Sequence, residues 1–83
     1  MPRTEELRHA IERRFTDRVF TDTAHPNRFK VIQVCGSSTA ITRWYLVCQE
    51  IDNSEIKWSY SLETMIPMDE VYRLFHTYME DDS

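Results

Sequence analysis

The middle of the chain carries apolar side chains on both faces of a predicted strand. Read as a strand from Ile41 to Ile51, the segment separates into two alternating sets, which are Ile41, Tyr45, Val47 and Ile51 on one face and Trp44, Leu46 and Cys48 on the other. A strand with one solvated face is expected to be apolar on one face only. We therefore expect another part of the protein, or a partner, to cover the second face.

Two amphipathic helices bracket this region. Apolar residues recur at helical spacing over residues 4–18 and again over residues 67–79, which predicts one helix in each segment. Strands are predicted at 29–35, 40–51 and 56–62, separated by turn-forming residues at 36–39 and 52–55. The sequence predicts a single α+β domain spanning residues 1–83, in the order α-β-β-β-α. We expect a three-stranded antiparallel meander with both helices on one face.

The second hairpin suggests a register. A loop of two or four residues places Ile51 opposite Ile56 and pairs Glu50 with Lys57 on the other face. Ser59 and Ser61 then mark the solvated face of the third strand. The predicted core face comprises Tyr45, Val47, Ile51, Ile56, Trp58, Tyr60 and Leu62. The register of the first hairpin is left undecided. A loop of two or four residues puts Val34 on the core face, whereas a three-residue loop exchanges the two faces of the first strand.

In the even case, an apolar set remains on the outer face, formed by Phe29, Val31, Trp44, Leu46 and Cys48. A monomer rarely leaves such a patch in water. We therefore predict a non-enzymatic protein-binding module, an adaptor or small inhibitor, in which Phe29, Val31, Trp44 and Leu46 contact another protein or a second copy of the chain. A homodimer would cover the same face.

Charge supplies an alternative from a different class. The net charge is −4, but residues 1–43 hold eight Arg and Lys against five Asp and Glu, whereas residues 44–83 hold two against nine. The basic half allows a nucleic-acid-binding domain that contacts phosphates through Arg14, Arg18, Arg28 and Arg43. The net acidity counts against this alternative.

The α-β-β-β-α order resembles that of the double-stranded RNA-binding domain. That family carries lysines at the start of its last helix, whereas the matching segment here, 66–70, contains Asp69 and Glu70. We assign no family on the order of elements alone.

The sequence lacks the linear signatures of catalytic, cofactor and metal sites. His9, His25 and His76 are far apart, and Cys35 and Cys48 have no CxxC spacing, so we expect two unbridged thiols and no metal or cofactor. No apolar run approaches the length of a membrane span. We therefore expect a cytoplasmic protein that is not an enzyme and does not enter a membrane.

Overall fold

The computed structural model describes residues 3–36 and 40–79. The strands form one antiparallel sheet in the order β1-β2-β3, which confirms the predicted α+β class. In chain order, the elements of the described ranges are α1 (Thr4–Arg13), β1 (Phe29–Cys35), a 3-10 turn (Ile41–Arg43), β2 (Tyr45–Glu50), β3 (Lys57–Ser61), α2 (Leu62–Met65) and α3 (Met68–Met79). Residues 37–39 of the predicted first turn lie outside the described ranges.

The first helix is shorter than the sequence pattern predicts. It ends at Arg13 rather than near residue 18. Asp17 adopts a φ of 58°, a left-handed backbone conformation that is incompatible with a right-handed helix through this position. Phe15 nevertheless remains buried, so the apolar stripe extends past the helical backbone. The last helix begins one residue after the predicted position. The short α2 was not predicted.

The register of the second hairpin differs from the prediction by one residue. Cys48 pairs with Trp58 and Leu46 pairs with Tyr60, while Lys57 pairs with Gln49 instead of Glu50. The reason is the loop: β2 ends at Glu50, whose N–H donates to Ile56 O, so five residues lie between that pair. An odd loop shifts the register by one and moves every side chain of β2 to the other face.

The predicted outer face is therefore the core face, and this prediction was wrong. Phe29, Trp44 and Leu46 are fully buried, and Val31 packs against the core. Conversely, residues assigned to the core lie at the surface, namely Tyr45, Ile51 and Ile56. The face of β3 was predicted correctly, because Ser59 and Ser61 are exposed, whereas Trp58 and Tyr60, which alternate with them, are half-buried.

The first hairpin contains two irregularities that the sequence pattern did not predict. Residues 41–43 form a 3-10 turn, so β2 begins only at Tyr45, and Val34 pairs with Leu46 rather than with Ile41. A bulge then shifts the register of β1 between Val31 and Gln33. Because of this extra residue, Val31 and Val34 both direct their side chains to the core face despite their odd spacing.

Both long helices cover this one face of the sheet. Leu7 and Ile11 of α1 and Phe75 of α3 belong to the same buried cluster as Leu46 and Trp44. The Trp44 ring meets the Phe75 ring edge-on at 5.5 Å between centroids. The opposite face of the sheet has no helix against it among the described residues, so this surface is left for contacts outside the fold.

Candidate functional site

The four residues predicted to bind a partner do not form a surface. Phe29, Trp44 and Leu46 are at most 1% exposed. Val31 is half-buried at the edge of the same cluster. Side chains this deep stabilise the fold and cannot supply an intermolecular contact without opening the core. Any binding surface of this protein therefore lies elsewhere.

The arginines of the alternative hypothesis do not form one basic patch. Arg14 forms an ion pair with Glu70 of α3, and Arg28 lies 3.6 Å from Asp52. The guanidinium of Arg18 lies 5.8 Å from the centre of the Phe20 ring. Arg43 precedes β2, at the far end of the sheet from Arg28. Six residues of extended strand separate those ends, or about 20 Å.

A groove runs between α1 and the outer edge of β1. Three adjoining cavities form it, with volumes of about 440, 140 and 460 Å³, and each shares lining residues with the next. We call it the edge groove. Its helix side is formed by Arg8, Glu12, Phe15, Thr16, Asp17, Arg18 and Val19, and its strand side by residues 30–36.

The backbone of β1 is unpaired along the middle of this groove. The Glu50 N–H points toward β3, so Cys48 and Leu46 on the same face of β2 also direct their backbone toward β3. Their partners on β1, Val31 and Val34, must then direct N–H and C=O outward, into the groove. Within the described ranges, no backbone–backbone hydrogen bond occupies these groups.

Both ends of the unpaired segment are closed. At one end Phe20 and Phe29 exchange two backbone hydrogen bonds of 2.8 and 2.9 Å, which form an isolated bridge on the outer edge of β1. At the other end Arg8 Nη2 donates to Gly36 O at 2.6 Å. The free edge therefore lies within residues 30–35, which limits the length of a segment that could pair with it.

Exposed apolar side chains flank the groove at one end. Val19 is 53% exposed and Ile32, at the bulge, is 40% exposed. Lys30 and Arg18 line the same end, and neither is ion-paired among the described residues, whereas Arg8 pairs with Glu5. The groove thus combines free backbone groups, two apolar side chains and two available cations.

Of the groove residues, the sequence predicted Val31 as a partner contact and Arg18 as a nucleic-acid contact, whereas Val19, Lys30 and Ile32 were not predicted. The available signal was the continuous apolar pair Val31 and Ile32, which places adjacent apolar residues in one strand and is compatible with a bulge. Which edge of the sheet stays open depends on where the chain runs after α1. That is a tertiary property that strand periodicity does not contain.

The open face of the sheet carries both apolar and polar side chains. Tyr45 and Val47 contribute apolar surface there, next to Cys35. The remaining side chains on this face are Lys30, Gln33, Gln49, Lys57, Ser59 and Ser61. A mixed face of this kind is typical of a solvated antiparallel sheet.

The loop between α1 and β1 builds an aromatic cluster over the other end of the core. The His25 ring stacks on the Trp58 ring at 3.7 Å between centroids and 11° between planes. Edge-on contacts extend the stack to Phe29 and Tyr60. Phe20 joins through Phe29. These contacts fix the position of a long loop that has no regular secondary structure.

One carboxyl group is held within this cluster. The Tyr60 hydroxyl donates to Asp22 Oδ2 at 2.6 Å, and the His25 backbone N–H donates to Oδ1, also at 2.6 Å. The Tyr60 hydrogen bond lowers the pKa of Asp22 below its ordinary value, although burial acts in the opposite sense. Burial, with Asp22 adding to it, raises the pKa of Tyr60. Both side chains are thus engaged in joining the loop to β3.

The neighbouring thiol of Cys48 is buried beneath the same loop. Burial raises its pKa to about 11, and the Asp22 carboxylate acts in the same direction. Such a thiol stays protonated at neutral pH and is a poor nucleophile. Cys35 and Cys48 are both free thiols.

Among the described residues, no group of three or more His, Cys, Asp and Glu side chains is arranged to hold a metal ion. In the same part of the chain, no helix is long and apolar enough to cross a membrane.

Comparison with known proteins adds no assignment. The chain matches no protein-family model, and neither the characterised proteins nor the solved structures contain a significant match to it.

Proposed function

We propose that this protein is a non-enzymatic binding module that takes up an extended segment of another protein as a fourth strand alongside β1. The observation that carries the proposal is the unpaired backbone of Val31 and Val34 beside a groove with exposed Ile32 and Val19. Main-chain hydrogen bonds from a sheet edge supply affinity for an extended peptide, and flanking pockets supply selectivity.

The closed ends of the groove favour a short, specific partner over open-ended association. Edge strands that are long and flat pair indiscriminately, and natural sheets interrupt them with bulges and charges. Here the bulge after Val31, the Phe20 bridge and the Arg8 contact limit the free segment. An adaptor or small inhibitor would use such a site to recognise one segment of its target.

This proposal retains the binding role expected from the sequence and moves it to a different surface. A cytoplasmic location fits two free thiols, since a reducing compartment preserves them. A nucleic-acid role has less support, because Arg14 and Arg28 are already paired with carboxylates. Pairing of two copies through β1 is the competing use of the same edge.

Two isoleucines provide a matched test. Ile32 and Ile56 are each 40% exposed, but Ile32 lies in the edge groove and Ile56 lies before β3. Extended peptides selected against the wild-type protein from a random displayed library should lose most of their binding to Ile32→Lys and keep it with Ile56→Lys. Both variants should unfold at nearly the wild-type denaturant concentration, since exposed substitutions change stability by about 0.5 kcal/mol or less.

Two results would oppose the proposal. Equal binding of the selected peptides to both variants would place the binding surface outside the groove. Alternatively, the wild-type protein could have dimer mass in solution and the Ile32→Lys variant monomer mass, which would assign the edge to a second copy.

A further inference from the structure

We infer that the segment taken up by the edge groove is acidic at its Lys30 end, with apolar side chains directed toward α1. This inference rests on the proposed strand addition and specifies its partner class.

Strand geometry fixes which side chains of an added segment meet which wall. Residues placed opposite Val31 and Val34 would direct their side chains to the helix side, because those two valines face the core. There they meet Phe15 and, at the Lys30 end, Val19. The intervening residues would point to the open face of the sheet. An alternating apolar and polar segment therefore fits the groove.

The two ends of the groove differ in charge. At the Gly36 end, Arg8 pairs with Glu5, and Glu12 lies 3.0 Å from the His9 ring. At the other end the lining contains Arg18 and Lys30 against a single acid, Asp17. Neither of these cations forms an ion pair with a described carboxylate. The Lys30 end is thus the end at which a partner carboxylate finds uncompensated positive charge.

The position of Lys30 matches this expectation. Its side chain lies on the open face, where it pairs across the sheet with Gln49. On its other side the antiparallel Phe20–Phe29 bridge places Val19 beside Lys30. An added strand would therefore end next to Lys30, where its last side chain would pair with the Lys30 ammonium. Opposite charges stabilise such pairs and like charges destabilise them. Arg18 approaches the same end of the groove from the loop that follows α1.

Two synthetic peptides test the inference directly. One is an eight-residue blocked peptide of alternating valine and glutamate, and the other alternates valine and lysine. At low salt, the glutamate peptide should bind with on the order of tenfold higher affinity, because the lysine peptide places like charges beside Lys30 and Arg18. Binding is followed through the backbone amide signals of Val31 and Val34 in NMR titrations.

Charge-reversed variants identify the cations responsible. The double variant Arg18→Glu/Lys30→Glu should reverse the preference, so that the lysine peptide binds more tightly. Lys57→Glu is the matched control, because Lys57 is also an exposed lysine on the open face but belongs to β3, away from the groove. This control should keep the preference for the glutamate peptide.

The outcomes separate this inference from the proposed function. Equal binding of both peptides, with shifts at Val31 and Val34, would overturn the charge preference and leave strand addition in place. The same holds if the preference persists in Arg18→Glu/Lys30→Glu. If neither peptide moves those two amide signals at millimolar concentration, both the inference and strand addition at this edge are contradicted.

Discussion

The two tryptophans lie in regions of the buried sheet face that are closed in different ways. Trp44 is 1% exposed and is covered by apolar helix residues, including Phe75. Trp58 is half-buried and is covered by a loop, with His25 stacked on its ring. The helices bury the Trp44 region with continuous apolar stripes. The loop achieves closure through ring stacking and hydrogen bonds, so the groups with perturbed pKa values concentrate there.

The largest expected difference between the regions is in stability. Trp44→Ala should lower the free energy of unfolding by about 3 to 5 kcal/mol, the range for removing a large core aromatic. Trp58→Ala should cost less, because its side chain retains solvent contact in the folded protein. Urea unfolding at neutral pH gives both values. Equal losses, or a larger loss for Trp58→Ala, would contradict the assigned core.

The chain's single glycine sharpens the account of the Trp44 region. A Cβ atom placed on Gly36 would lie 2.1 Å from Trp44 Cδ2, so the ring or the backbone must move. Gly36→Ala should therefore destabilise the protein by about 1 to 3 kcal/mol, the range for overpacking a core. Ala40→Gly, on the far side of the same connection, is the control for backbone flexibility. A Gly36→Ala variant as stable as the wild type would show that Trp44 is packed differently.

The Trp58 region should be distinguished by its response to pH. The pKa of Asp22 is lowered in the folded protein by the Tyr60 hydrogen bond, so its contribution is present above the ordinary pKa of 3.8. That contribution is lost as the pH falls through the lower, folded value. Tyr60→Phe should therefore be less stable than the wild type at pH 7, with a smaller difference at pH 2. Urea titrations at the two pH values measure both differences.

A variant remote from Asp22 provides the comparison for this pH effect. Tyr72→Phe removes a hydroxyl from an exposed tyrosine of α3 and should change stability little at either pH. If Tyr60→Phe were equally destabilised at pH 7 and pH 2, the hydrogen bond to an ionised Asp22 would not be the cause.

Local sequence patterns were sufficient for some parts of the fold. The last helix was predicted within one residue, because its apolar stripe and the residues Pro67 and Asp69 mark its start. The face of β3 was also predicted, since Ser59 and Ser61 alternate with aromatics. The order of elements followed from the same local signals.

The parity of β2 could not be derived in this way. Its two faces are almost equally apolar, so the loop length had to decide, and the five-residue loop was taken as even. The prediction of an outer patch containing Trp44 and Leu46 failed for that reason. The sequence pattern also does not reveal that the loop after α1 packs over Trp58, because the stacking of His25 on Trp58 is a long-range contact.

The edge groove depends on the same long-range contacts. It exists because α1 ends at Arg13 and the residues between Arg13 and Phe20 pass beside β1 without backbone hydrogen bonds to Val31 or Val34. A longer α1, as predicted from the stripe ending at Phe15, would have directed the chain differently. The site could therefore be recognised only after the path of this loop was known.

Amide hydrogen exchange along β1 measures whether the strand edge beside α1 is free. Lys30, Gln33 and Cys35 pair with residues of β2 that direct their backbone toward β1, whereas Val31 and Val34 direct theirs into the groove. If the edge is free, the amides of Val31 and Val34 exchange markedly faster than those three neighbours in the isolated protein. Equal protection of all five amides would contradict it, because the edge would then already be paired.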